Sequence, residues 1–251
     1  MVREWDVVVI GAGIIGCSVG RELARRGARV AILDSRFAGA GATRASAGVL
    51  APYIEAPDAG PLHELTVRSL GLYDEFIAGL EQDISGRIEY RRCGSLEVAG
   101  SPESAERLMA LAAWAGTHAV EAQWLDDRQA RQLEPAVGPS QGALLVPSHA
   151  YVRAGQLTAS LLESAGRHGA TFLSGQPVER IDADASGATV KAGEDDHRAA
   201  TVVIAAGSWS ARLGAVAPPI KPIRGQLLRL GWNGAPITRV LWGDRCYLVP
   251  W

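Results

Sequence analysis

The residues with the plainest chemical capacity stand near the start of the chain. Gly11, Gly13 and Gly16 occur in the run Gly-Ala-Gly-Ile-Ile-Gly, directly after an apolar stretch. A glycine turn between a strand and a helix turns bare N–H groups and the positive end of the helix dipole outward, which suits phosphate. Each glycine has its own task there. Gly11 permits the tight bend, Gly13 lets a pyrophosphate approach the backbone, and Gly16 lets the helix lie close on the strands. Asp34 follows at the end of the next apolar run. A carboxylate in that place accepts hydrogen bonds from ribose hydroxyls and repels a 2′-phosphate. Together these residues predict a dinucleotide site.

The elements that must hold them are legible. Residues 5–10 read as a buried parallel strand, β-branched and nearly continuous. Residues 14–26 read as a helix with Ile15, Val19 and Leu23 on its apolar face and Gly27 just past its end. Residues 28–33 form a second strand that closes on Asp34, completing a βαβ unit. A small-residue loop covers 39–48. A helix is expected over 62–80, with Leu62, Leu65, Leu72, Phe76 and Leu80 on one face. A hairpin is expected over 88–98 around Cys93 and Gly94. Ser101-Pro102-Glu103 starts a helix that runs to about Gly116, and another covers 155–168.

Strands follow at 170–174, 177–182, 187–192 and 200–205. The stretches 222–230, 237–242 and 245–250 read as an antiparallel meander whose last turn, Gly243-Asp244, suits a two-residue hairpin. Two α/β segments thus flank a middle of different character. The expected fold class is α/β: a nucleotide-binding domain at 1–85 and 150–215, interrupted by an α+β domain at 86–149 and 216–251 built on an antiparallel sheet.

Composition sets the bounds. The 251 residues carry 25 basic and 27 acidic side chains, and 47% are hydrophobic, enough for a sizeable core. With a net charge of −2 there is no positive field to hold nucleic acid by counterion release. Glycine supplies 29 residues, well above the ~7% of average usage, as expected where turns and close approaches dominate. Cys17, Cys93 and Cys246 are odd in number and lack Cys-x-x-Cys spacing, so neither a disulfide framework nor a zinc site is expected. His63, His118, His149, His168 and His197 are scattered and read as surface or structural residues. The apolar run from Val7 to Val19 follows Glu4 and Asp6 rather than a positive segment, and is too short to span a bilayer. The expectation is a soluble, cytoplasmic protein with no metal, membrane or nucleic-acid partner.

The glycine pattern extends to Gly20 and Gly27, and in this form it resembles FAD-dependent oxidoreductases of the glutathione-reductase type. Three further stretches narrow the resemblance to the D-amino-acid oxidase superfamily, and within it to the glycine oxidases. They are Ala45 to Pro52 (Ala-Ser-Ala-Gly-Val-Leu-Ala-Pro), Val203 to Ser210 (Val-Ile-Ala-Ala-Gly-Ser-Trp-Ser), and Pro222 to Gln226 taken with Cys246 to Pro250. The resemblance implies FAD as cofactor in a glutathione-reductase-type Rossmann-like fold. Ile14 and Ile15 would lie over the pyrophosphate, and Asp34 and Ser35 at the adenosine ribose. Ala42, Thr43 and Arg44 would line the phosphates, and Ala47, Gly48 and Val49 the isoalloxazine edge. Val178 would hold the adenine through its backbone, while Ala206 and Gly207 would pass close to the cofactor. Tyr247 would sit over the flavin with its hydroxyl available to a small substrate. Asp34 replaces the more usual glutamate, Val49 a common methionine, and Trp251 a usual basic residue.

The implied reaction oxidises glycine or another small amine or amino acid, such as sarcosine or a D-amino acid. The products are the imine, then the 2-oxo acid, with hydrogen peroxide formed from oxygen; in the family the imine can serve thiamine thiazole synthesis. A homo-oligomer, tetrameric in many members, is also implied. The chain stops before the segment that in the family carries the carboxylate-binding arginine, so the C-terminal part of the fold is expected to be absent. Arg224 and Arg229 read as structural or surface residues. The same motifs leave open a dehydrogenase that passes electrons to a carrier, or a catalytically incomplete FAD-binding fragment. An NAD-linked dehydrogenase would explain only the first βαβ unit.

Overall fold

Valine and isoleucine crowd the first strand because both of its faces are covered. In the computed structural model, which describes residues 2–55, 60–117, 120–213 and 220–251, Val8 and Val9 are fully buried and Ile10 nearly so. Each such side chain contributes roughly 1.5–3 kcal/mol relative to exposure. In chain order the first half forms β1 (Val2–Ile10), α1 (Ile14–Arg25), β2 (Val30–Asp34), a 3₁₀ turn (Ala42–Ala45), β3 (Val49–Leu50), α2 (Pro52–Glu55) and α3 (Pro61–Gln82). Then come β4 (Tyr90–Arg91), β5 (Ser95–Ala99), α4 (Pro102–Thr117), β6 (Gln123–Leu125), α5 (Asp127–Leu133), β7 (Gly142–Val146) and β8 (Ala150–Val152). The last part holds α6 (Ala154–Arg167), β9 (Thr171–Ser174), β10 (Val178–Asp184), β11 (Gly187–Ala192), β12 (Asp195–Ile204), a 3₁₀ turn (Gly207–Arg212), β13 (Val240–Trp242) and β14 (Tyr247–Leu248).

The chain divides into two units. The first comprises Met1–Ser46, Phe76–Ile88 and Ala154–Leu227; the second comprises Ala47–Glu75, Glu89–Arg153 and Leu228–Trp251. Residues 47–75 thus group with the second unit, where the sequence reading placed them in the first domain. His118 and residues 1 and 214–219 of the expected domains lie outside the described residues.

The first unit is built on a six-stranded sheet of order β10-β11-β12-β1-β2-β9. The β12, β1, β2 and β9 strands run parallel, and β10 and β11 add antiparallel edge strands. The expected face of α1 is corrected here. Ile15 is exposed, and the buried residues are Gly16, Cys17, Gly20, Arg21 and Ala24. Small residues are required because the helix lies tight on the sheet: a Cβ at Gly20 would come within 2.5 Å of the Ile32 side chain. On its other side α1 meets α6, where the Arg21 Nε donates to Ser164 Oγ at 2.8 Å.

The second unit has a five-stranded sheet of order β14-β13-β5-β7-β6 and a three-stranded antiparallel sheet of order β3-β8-β4. The larger sheet is mixed rather than wholly antiparallel, since β13 runs parallel to β5. Alternation along its strands buries Leu96, Ala143 and Leu241 with Ala130 of α5, and Ala99 and Leu144 with Leu108 of α4.

Four further expectations are revised. Residues 88–98 are not a hairpin: β4 pairs with β8 and β5 with β7, because Gly94, at φ 76°, turns the chain from one sheet into the other. Residues 222–230 form no strand and are exposed, both edges of β13 being already paired by β5 and β14. The turn between Trp242 and Tyr247 has four residues, closed by Gly243 N–H donating to Cys246 O at 2.9 Å. On α3, Leu62, Leu65 and Leu72 are exposed, and the buried positions are Leu70, Ile77 and Leu80.

Candidate functional site

The C-terminal ends of β1, β2 and β12 converge on the first glycine. Gly11 N–H donates to Leu33 O at 2.7 Å, and Ala205 N–H to Ile10 O at 2.8 Å. Gly11 takes φ 106°, and a Cβ there would stand 2.4 Å from Ala205 O, so no other residue fits the crossing. Gly16 lies beneath the turn, where a Cβ would fall 1.8 Å from Gly11 O. Helix α1 begins at Gly13 without a side-chain cap of its own. The loop after β2 supplies one instead: Gly39 N–H donates to Ala12 O at 2.8 Å, and Thr43 Oγ1 accepts the Ile14 N–H at 3.1 Å. The Thr43 hydroxyl keeps its own proton to donate outward.

This crossing opens into a cavity of about 790 Å³ in the first unit. It brings together Gly11, Gly13, Ile14 and Ile15 at one side, Asp34 and Ser35 at the end of β2, and Ala42 and Thr43 from the loop. Val178, Ala206 and Gly207 also line it. Val178 is held there because Gln176 N–H donates to Asp34 O at 2.9 Å, tying the head of β10 to the tail of β2. Ligands of open α/β sheets bind at such a place, where strand ends diverge outside the sheet.

Not every expected residue faces this space. Gly16 serves the turn from below, and Arg44 is exposed with its guanidinium 5.6 Å from the Phe37 ring centre. Ala47, Gly48, Val49 and Tyr247 belong to the second unit. There Val49 pairs with Tyr151 of β8, and Gly48 takes φ 75°. The Tyr247 ring stands 4.6 Å from that of Trp242 and is half-exposed. Arg224 and Arg229 are exposed.

The cavity also contains residues that the sequence reading passed over. Arg36 lies 5.0 Å over the Trp209 ring, and both line the cavity with Arg212. Trp209 lies in the Val203–Ser210 stretch, but nothing in the spacing signals that Arg36 stacks on it across 173 positions. Beneath the turn, burial and then the nearby Asp34 charge push the Cys17 thiol up to about 12, which leaves it protonated and unreactive. Among the described residues no group of three His, Cys, Asp or Glu is placed to hold a metal ion, and no helix is long and apolar enough to cross a membrane.

Residues 6–251 match the family described as DAO, FAD dependent oxidoreductase. The chain is similar to the glycine oxidase of Geobacillus kaustophilus (strain HTA426), with 32% identity over 260 residues, covering 100% of this chain and 68% of that one. It is also 32% identical to the bifunctional protein ThiO/ThiG of Synechocystis sp. (strain ATCC 27184 / PCC 6803 / Kazusa), over 98% of this chain and 37% of the other. The crystal structure of glycine oxidase from Geobacillus kaustophilus is similar at a TM-score of 0.87, with 27% identity, over 99% of this chain and 68% of that one.

Proposed function

This chain belongs to the DAO family of FAD-dependent oxidoreductases, and from that premise we propose that it oxidises glycine or another small amine or amino acid. The observation that carries this reading is the similarity to glycine oxidases along the whole chain, in sequence and in fold. The residues present fit the cofactor. Gly11 and Gly13 bring no side chain to the cavity wall, Thr43 Oγ1 is the side-chain group at the α1 amides, and the cavity runs on to the Asp34 carboxylate, which would meet a ribose.

Gly11, Gly13, Ile14 and Ile15 would hold the pyrophosphate, with the Thr43 hydroxyl donating to a phosphate oxygen. Asp34 and Ser35 would accept and donate at the ribose, and Val178 would meet the adenine through its backbone. Ala206 and Gly207 would admit the cofactor closely because they add almost no side-chain bulk. Ala47, Gly48 and Val49 would border the isoalloxazine, and Tyr247 would offer its hydroxyl to the substrate. When bound, FAD would supply the electron sink for oxidation of the carbon that bears the amine, with oxygen as the final acceptor and hydrogen peroxide as its product. The protein's part is to orient that carbon and to keep water from it. The resulting imine hydrolyses to the 2-oxo acid or serves thiamine thiazole synthesis. A homo-oligomer is part of the same reading, and sedimentation would measure it.

The test is direct. Purified protein is expected to show a flavin absorption band and to form peroxide with glycine, sarcosine or D-alanine. Reduction of a dye without peroxide would replace the oxidase by a dehydrogenase that feeds a carrier. Colourless protein that takes up no added FAD would end the proposal.

A further inference from the structure

Residues 249–251 in the second unit are tied back on themselves and onto the strands at both ends. Trp251 N–H donates to Val249 O at 3.1 Å, which folds the segment into a tight turn. The Tyr151 hydroxyl donates to Pro250 O at 2.7 Å, and the Trp251 indole N–H donates to Ala47 O at 3.2 Å. Tyr151 is fully buried and Ala47 nearly so, while Trp251 is 39% exposed, so each bond has one partner held in the interior. Tyr151 is itself the ladder partner of Val49, and Val152 N–H donates to Gly48 O at 2.9 Å. The indole is held from its other face by Arg153, 5.7 Å from its ring centre, and Arg153 is fixed by Glu89 at 3.1 Å.

We infer that Tyr151 and Trp251 form a two-point latch that positions the Tyr247 segment against the Ala47–Gly48–Val49 turn. They are positioning residues. Neither is argued to touch substrate or cofactor; each fixes a backbone carbonyl next to residues that are. Two donors from different elements, each placed on one carbonyl, remove the sliding freedom that a short strand such as β14 leaves to its neighbours. Trp251 is well chosen for this, since its ring offers an apolar face to Arg153 and a single N–H at the edge. The significance for catalysis rests on the proposal that Ala47 to Val49 border the flavin and that Tyr247 meets substrate.

The experiment uses Tyr151→Phe, which keeps the ring, and Trp251→Phe, which keeps an aromatic ring of smaller volume; each deletes one donor. Ser95→Ala serves as a control, because it loses a buried bond to His149 in the same unit without touching the latch. Amide hydrogen exchange at Val49 and Leu50 is expected to quicken in both latch variants and not in the control. FAD affinity, measured by flavin fluorescence, is expected to fall about three- to tenfold in each latch variant, the size of one lost hydrogen bond. The visible flavin band is expected to shift as well. Unchanged exchange at Val49 and Leu50 in both latch variants would overturn the latch. So would equal losses in a Ser95→Ala protein of matched thermal midpoint, which would reduce the effect to general stability. Wild-type protein that binds no FAD would sink the proposed function instead, and the exchange result would still decide the latch.

Discussion

The Asp34 carboxylate accepts the Ala12 N–H at 2.8 Å through one oxygen and the Arg36 N–H at 2.9 Å through the other. The acid is thus aimed before any ligand arrives, with one lone pair of each oxygen left over for a ribose. Asp34→Ala removes both the aim and the charge-assisted acceptors. Hydrogen bonds to charged groups contribute about 1.5–3 kcal/mol, so the Kd for FAD is expected to rise by roughly ten- to a hundredfold. Flavin fluorescence titration measures it. An unchanged Kd would remove Asp34 from the ribose site.

Gly16 and Gly27 test whether close approach or backbone conformation matters more. Gly27 takes φ 90° with nothing within 4 Å of a built Cβ, so Gly27→Ala is expected to lose only about 1–2 kcal/mol of stability, the left-handed penalty. Gly16 has ordinary helical geometry, yet its Cβ would collide with Gly11 O at 1.8 Å. That neighbour is backbone and cannot rotate away. Gly16→Ala is therefore expected to destabilise by more than about 3 kcal/mol, with loss of FAD binding. Urea unfolding of the two variants decides the order.

The first βαβ unit was legible because strand period, glycine spacing and the acid at the second strand's end all point one way. The misreadings have a shared cause. Ile15, Leu62, Leu65 and Leu72 obey helical spacing, but spacing says only that a face exists, not which face is covered. In α1 the covered face is the one with the smallest side chains, since the sheet lies so near. Residues 222–230 carry strand-like composition, but a strand also needs a free edge to pair with, which composition cannot report. The Arg36–Trp209 stack and the Tyr151–Pro250 bond join positions far apart in sequence, and no local pattern encodes them.

His149 makes the fold sensitive to mild acid. Its Nδ1 shares a hydrogen with Ser95 Oγ at 2.7 Å, its ring stacks on Tyr53 at 5.5 Å, and burial pushes its pKa down to about 3. In the unfolded chain it titrates near 6.5. Between about pH 6.5 and 3 the unfolded state binds the proton and the folded state does not, so stability falls as pH falls. The slope is about 1.4 kcal/mol per pH unit once below 6.5. His197 is displaced in the same direction, chiefly by burial, and adds to it. His149→Phe keeps the stack on Tyr53 and is expected to flatten the slope between pH 6 and 4.5, read by urea unfolding at each pH. An unaltered slope would exonerate His149.

Asp83 ties α3 to the α1–α6 contact, and it should behave unlike the surface ion pairs around it. It accepts Arg21 Nη2 at 2.7 Å, the Ser164 hydroxyl at 2.8 Å and His168 Nε2 at 3.1 Å. The Arg21 side chain is only 9% exposed and that of Asp83 24%, whereas Arg167 and Glu163 one turn away are 49% and 43% exposed. Asp83→Asn leaves a nearly buried guanidinium without its counter-charge, and an expected loss of about 2–4 kcal/mol follows. Glu163→Gln is expected to lose at most about 0.5 kcal/mol. The Arg21 hydrogen bond, then those of Ser164 and His168, hold the Asp83 carboxyl down at about 2. Its contribution is therefore full above the unfolded value near 3.9 and fades as pH drops from there through 2, so above about pH 4 the loss in acid comes from His149 and not from Asp83. Unfolding of Asp83→Asn at pH 7 and at pH 3 separates the two groups. Its deficit relative to wild type should be nearly as large at pH 5 as at pH 7 and smaller by roughly 1 kcal/mol at pH 3, and a deficit that vanished by pH 5 would contradict the assignment.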